Sequence, residues 1–272
     1  MTKGIIGLHR WLETPPGCHL LEWEQHQMDR VVADVFGYHA LQLGMPELAA
    51  LQANRMPHRW LAGNTLDSLK VKPLHAVASQ AAAGPQDGQE PLEISLLTDF
   101  AALPFESGSL DLLVLPHALD LSTDPHAALR EVERVLVPEG RVVICGFNPA
   151  SLWGLRERRA RLLKRMGWGE QFLPHSGEFI GYWRLRDWLR LLSFEVETGQ
   201  FGCYRPAVRS EKWLHRFAWM DRLGARCWPI FGAVYFVVAI KRVRGMRLLE
   251  PAWKTATSRA KAQVTLTNRT RD

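Results

Sequence analysis

Cysteine is scarce in this chain and scattered. Its four residues, Cys18, Cys145, Cys203 and Cys227, form no C-x-x-C pair and no zinc-site spacing. That argues against a disulfide-framed fold and a structural metal core. Long apolar runs are missing too. Ile230 to Ile240 is the longest, and it falls far short of the roughly 20 residues that cross a bilayer. No membrane span is therefore expected, and the run reads as a buried strand. Met1 to Leu12 holds neither a continuous apolar stretch nor a small-residue cleavage site, so a cytoplasmic protein without a signal peptide is expected. No internal repeat, catalytic triad or metal-binding cluster is visible.

Acidic charge thins out at one end. Residues 241–272 carry nine basic side chains against two acidic ones, while the whole chain has a net charge of +6. The body is thus close to neutral. The expectation is a globular domain over residues 1–242 and a basic, disordered tail over 243–272. Contact of the tail with nucleic acid or an anionic surface is the alternative.

The most structured signal lies between Glu93 and Asn148. Three short apolar runs, Ile94–Leu97, Leu110–Leu115 and Arg141–Phe147, each end in polar or turn-forming residues. Between the last two, Asp124 and Pro125 open a helix whose apolar face is Leu129, Val132, Val135 and Leu136, and Pro138 and Gly140 close it. Strand, helix and strand at this spacing make a right-handed crossover in a parallel sheet. Ligands bind such sheets beyond the carboxyl ends of the strands, where Asp99, His117 and Asn148 fall.

Elsewhere the spacing predicts a helix from about Leu20 to Phe36, faced by Leu21, Met28, Val32 and Val35. A first strand is expected over Tyr38–Leu43, a helical stretch over Glu47–Gln52, and a second strand over Leu74–Ala78. Residues 81–89 read as a loop. Further on come an Arg-rich helix, Ser151–Met166, a helix faced by Leu185, Trp188, Leu189 and Leu192, and a strand at Phe194–Thr198. A last helix is marked by Trp213, Phe217, Met220 and Leu223.

Asp99, Leu103-Pro104-Phe105, Ser109-Leu110-Asp111, and Ala128-Leu129-Arg130-Glu131 through Arg134-Val135-Leu136-x-Pro138-x-Gly140 form an ordered set. It resembles the class I S-adenosylmethionine-dependent methyltransferases, type-11 branch, which includes the quinone-biosynthesis C-methyltransferases. The resemblance covers the middle of the chain. It implies an α/β fold: a doubly wound, seven-stranded, mostly parallel, Rossmann-like sheet with an N-terminal helix as lid and antiparallel sixth and seventh strands.

The resemblance also implies a site. Gln42, Gly44, Asp99, Phe100 and Pro116 are the expected cofactor-binding residues, with Asp99 accepting the adenine amino group. His117 is the candidate catalytic residue, as a general base or an orienting group, and a hydrogen-bonded strand-end histidine is its plainer reading. Asn148 and Trp153 are expected to face the acceptor, with Trp168 as a second stacking candidate.

Two departures stand out. The family's glycine-rich turn corresponds here to Gln42-Leu43-Gly44-Met45-Pro46-Glu47-Leu48, where Gly44 alone matches and Pro46 removes an N–H. No acid ends the expected second strand, where Ser79 or Gln80 stands; Glu47 or Asp67 are substitutes. Asn148-Pro149 follows the fifth strand, so it is not the amino-methyltransferase motif, which follows the fourth.

Three functions remain. One is S-adenosylmethionine-dependent methyl transfer to a small-molecule acceptor. Another is a catalytically inactive binding or regulatory module on the same fold. The third is RNA methylation through the basic helix and tail.

Overall fold

The computed structural model describes residues 3–64, 94–165, 172–173 and 179–242. The expectations for Leu74–Ala78, Asp67, Ser79, Gln80, residues 81–89, Trp168 and the 243–272 tail lie outside these residues.

Period-2 burial builds the sheet. Ala40, Leu112, Val114, Val143, Cys145, Phe236 and Val238 face one layer of helices, and Leu41, Leu43, Leu113, Leu115, Val142, Ile144 and Val237 face the other. The strands are β1 (His39–Leu43), β2 (His58–Gly63), β3 (Ile94–Leu97), β4 (Leu110–Pro116), β5 (Leu136–Phe147), β6 (Phe194–Gly202) and β7 (Val234–Lys241). They lie in the order β3-β2-β1-β4-β5-β7-β6. β1 to β5 run parallel, and β7 is antiparallel to both β5 and β6. This is the mostly parallel, doubly wound sheet expected.

Helices α1 (Lys3–Leu12) and α2 (Pro15–Val32) cover one face through Leu8, Trp11, Leu20, Leu21, Met28 and Val32, joined there by Trp153 of α5 (Leu152–Arg165). The other face carries α4 (Pro125–Val135), through Leu129, Val132 and Val135, and α6 (Tyr182–Leu191), through Leu185 and Leu189. A one-turn helix, α3 (Ala118–Leu121), follows β4. Two short helices, α7 (Glu211–Arg216) and α8 (Trp219–Cys227), lie between β6 and β7.

Several boundaries differ from the sequence reading, each for a local reason. The strand beside β1 is His58–Gly63, whose apolar signal is weak because His58, Arg59 and Trp60 are not buried. Glu47–Gln52 forms turns instead of a helix. Gln42 Nε2 donates to the carbonyls of Gly44, Met45 and Leu48, acceptors that helical N–H groups would need. β5 begins at Leu136 and takes in Pro138 and Gly140 as an irregular stretch, with Glu139 at φ 63°. β7 begins only at Val234, and Ile230 and Phe231 stay exposed in a 3-10 turn, because Asn148 Nδ2 takes the carbonyls of Ile230 and Gly232. The helix through Trp213 and Leu223 is two helices, broken at Phe217–Ala218, with both side chains exposed.

The start of α4 is as read from sequence. The Asp124 carboxylate accepts from Ala127 N at 3.0 Å, with Pro125 in the first turn. Asp124→Ala is expected to cost about 1 kcal/mol, measured as a lowered urea midpoint with an unchanged slope.

Candidate active site at the carboxyl edge of the sheet

The carboxyl ends of β3, β2, β1, β4 and β5 present Asp99, Asn64, Gly44, His117 and Asn148 in that spatial order. Strand spacing of about 4.8 Å spreads this row wide enough for an elongated ligand lying across the tips.

Gly44 has φ 76°, a conformation glycine adopts without a steric cost. A Cβ there would lie 3.3 Å from Phe100 Cζ, so the buried Phe100 ring presses on the β1 tip. Gln42, buried, stitches the following turn together. Its Nε2 donates to three carbonyls, and its Oε1 accepts from Ala50 N at 3.2 Å. Met45, Pro46, Glu47 and Leu48 are buried, and Met45 and Leu48 pack in the same cluster as α1 and α2. Side chains thus fill part of the volume that a glycine-rich turn leaves open. Asp99 is exposed, with Oδ1 accepting from Ala101 N at 3.0 Å. Asn64, half-buried, stands at the end of β2, the place that the sequence reading gave to Ser79 or Gln80 and where it found no acid.

At the end of β4, beyond the buried Pro116, His117 adopts φ 53° and is fully buried. Its Nε2 lies 2.8 Å from Glu24 Oε1 on α2, and its Nδ1 lies 3.2 Å from Asp120 Oδ2 on α3. Phe147 N donates to the same Asp120 oxygen, and the Phe147 ring lies 4.3 Å from the imidazole. Burial alone pushes the imidazole pKa down; the Glu24 and Asp120 carboxylates outweigh it and push it up to about 10. The histidine is therefore an imidazolium at neutral pH, with both nitrogens engaged. Glu24 Oε2, Asp120 Oδ1 and the Tyr235 hydroxyl are buried without a hydrogen-bond partner among the described residues. Asp120 and Cys145 also hold the Tyr235 phenol well above its usual range, after burial itself.

Asn148 and Trp153 are committed to internal contacts. Asn148 binds the carbonyls of Ile230 and Gly232 and accepts from Ala150 N. Trp153 is buried, donates to Arg205 O at 2.8 Å and meets Trp11 and Phe172 edge-on. Both join elements around the edge, and neither presents an open side chain.

Glu24 was missed from sequence, although a signal was present. It sits three residues after Leu21 and four before Met28, a carboxylate inside the apolar stripe of α2. A charge placed there needs a buried partner. His117, with Asp120 three residues on, supplies it.

The cluster couples stability to pH. The folded pKa of His117 is raised, so its contribution is complete below about 6.5 and is lost as pH rises through about 10. Guanidinium denaturation should show stability declining from pH 6.5 to 10. His117→Gln should be less stable at pH 6.5 and should lose most of that slope; an unchanged slope in the variant would contradict this assignment.

Residues 57–144 match the family described as a methyltransferase domain, type 11. The uncharacterized protein YafS of Escherichia coli K12 is 40% identical over 105 residues, which is 39% of this chain and 41% of that protein. A malonyl-[acyl-carrier protein] O-methyltransferase of Halorhodospira halophila is 41% identical over 58 residues, 21% of this chain and 20% of that one. The chain therefore spans well under half the length of the curated relatives it matches. Among solved structures, a Haloferax volcanii protein described as a methyltransferase, in complex with the Trm112 methyltransferase activator, superposes with a TM-score of 0.57. Identity is 16%, over 89% of this chain and 99% of that one, a likeness of fold. The match to the methyltransferase domain thus covers about a third of the chain, residues 57–144, and the likeness to the solved structure is one of fold.

Proposed function

We propose that the protein is an S-adenosylmethionine-dependent methyltransferase acting on a small-molecule acceptor. The observation that carries this reading is the row of groups along the carboxyl edge, of which Asn64, Asp99 and His117 lie within the matched residues 57–144. Asp99 and Asn64 suit the adenine amino group and the ribose hydroxyls at one end. At the other, the buried cluster of two carboxylates around one imidazolium beneath the β4 tip gives a net negative charge that suits the ammonium of the amino-acid half, and the left-handed backbone at Gly44 lies between. When bound, the cofactor supplies an electrophilic methyl group.

The chain's own residues position and shield. Phe100 and the α2 layer keep water from the β1 tip, which favours transfer over hydrolysis. In this reading His117 is a positioning residue: its proton holds Glu24 and Asp120 in register, because a group with a pKa of about 10 is a weak candidate for a general base at neutral pH. The acceptor class is open within the reading, and the quinone-like acceptors implied by the sequence resemblance are one choice.

A second reading, a non-catalytic module, is favoured by one observation. Gln42 ties down a turn whose Met45 and Leu48 are packed into the core. Calorimetry with S-adenosylmethionine and S-adenosylhomocysteine separates the two. Binding is expected, and Asp99→Ala should weaken it about tenfold, the loss of one hydrogen bond of roughly 1.4 kcal/mol. No binding by either compound at millimolar concentration would leave the second reading standing.

A further inference from the structure

The segment between β6 and β7 lies over the same carboxyl edge, since Gly202 and Phe147 both pair with Val234. It carries a dense set of uncovered apolar side chains. Trp219 and Trp228 are each 56% exposed and Phe231 54%, with Leu223 and Ile230 beside them in sequence also exposed. The neighbouring α5 adds Leu155, 63% exposed, with Leu152 and Leu162. These elements meet, because Leu152, Tyr204, Trp219, Leu223, Trp228 and Phe231 line one apolar cavity of about 290 Å3.

Charge follows the same faces. On α8, Trp219, Arg222, Leu223 and Arg226 fall at i, i+3, i+4 and i+7, so they share one side of the helix, and all four are exposed. On α5, Leu152, Leu155, Arg159 and Leu162 share a side in the same way, flanked by exposed Arg158. Neither side carries a carboxylate. Glu157, the acid of α5, is buried, where it accepts from Phe172 N and Leu173 N. Asp221, the acid of α8, is held by Arg205 on the opposite side. Tryptophan and leucine interleaved with arginine on amphipathic helices are the side chains that seat at the boundary of an anionic bilayer: rings at headgroup depth, guanidinium groups on the phosphates. A contiguous exposed apolar patch of this kind marks an interaction surface, and its basic character selects the partner.

We propose that α5, α8 and the 219–231 turn form a peripheral docking surface for an anionic lipid bilayer. The carboxyl edge of the sheet then faces the membrane, and the apolar cavity opens toward the acyl layer. No part of the surface spans the bilayer.

The test is co-sedimentation of the full chain with large vesicles of phosphatidylcholine alone and with 30 mol% phosphatidylglycerol, at low and at 0.5 M salt. Binding to the anionic vesicles should exceed binding to neutral ones by about tenfold and fall with salt. Trp219→Ser/Trp228→Ser and, separately, Arg222→Gln/Arg226→Gln should each reduce it at least fivefold while the circular dichroism spectrum stays unchanged. Binding left intact in both variants would overturn the proposal, because the charge of the 243–272 segment would then account for it. Absence of binding to either vesicle would overturn it too. So would a dimer in sedimentation equilibrium that the tryptophan variant dissolves, since a second copy would then cover the face.

Discussion

A buried ion cluster ties this fold together at the carboxyl edge of the sheet, the edge where parallel sheets bind ligands. Glu24 comes from α2, His117 from the tip of β4 and Asp120 from the turn after it, and Asp120 also receives the N–H of Phe147 at the tip of β5. Three elements distant in sequence are thereby fixed to one point. Charges this deeply buried are tolerated only when each is paired, so removing one partner strands the others. The left-handed backbone of His117 follows from the same requirement: it turns the imidazole off the end of the strand and back between the two carboxylates.

Gln42 does comparable work on the neighbouring strand. In the resemblance stated from sequence, its position belongs to an acid before a glycine-rich turn. Here an amide bonds to three carbonyls and one N–H of the turn. An amide can donate and accept at once, which a carboxylate cannot, and that duality lets one buried side chain close a turn of irregular backbone. The turn then holds its shape through side-chain bonds in place of glycine freedom, and Met45 and Leu48 fill the space toward α1 and α2. The turn is thus built by a different chemistry from the glycine-rich one that the resemblance implies.

The central crossover was legible because its signals are local and agree with one another. Asp124 and Pro125 start α4, and the buried strands around it are continuous apolar runs. β2 was not legible, since a strand that begins His58-Arg59-Trp60 shows only three buried residues. The site was legible as a row of strand tips, and less so as roles. Sequence places Asn148 and Trp153 near the edge, but only packing shows that Asn148 binds the turn before β7 and Trp153 the Arg205 carbonyl. Glu24 shows the converse: a misplaced charge on an apolar stripe was readable, and its partner was 93 residues away.

Aromatic side chains settle where the sheet can and cannot bend open. Trp23 of α2 lies against Gly202, where an added Cβ would meet the indole at 2.0 Å, and Tyr235 lies as closely over Gly146. The first contact seats α2 on β6, and the second closes the β5–β7 pair within the sheet, both without clearance. The opposite half, at β2 and β3, ends in exposed Asp99 and half-buried Asn64. On the proposed reading, entry and exit of a nucleoside along the edge depend on the β1–β3 side. The β5–β7 side supplies a wall, and the exposed indoles of Trp219 and Trp228 stand above it.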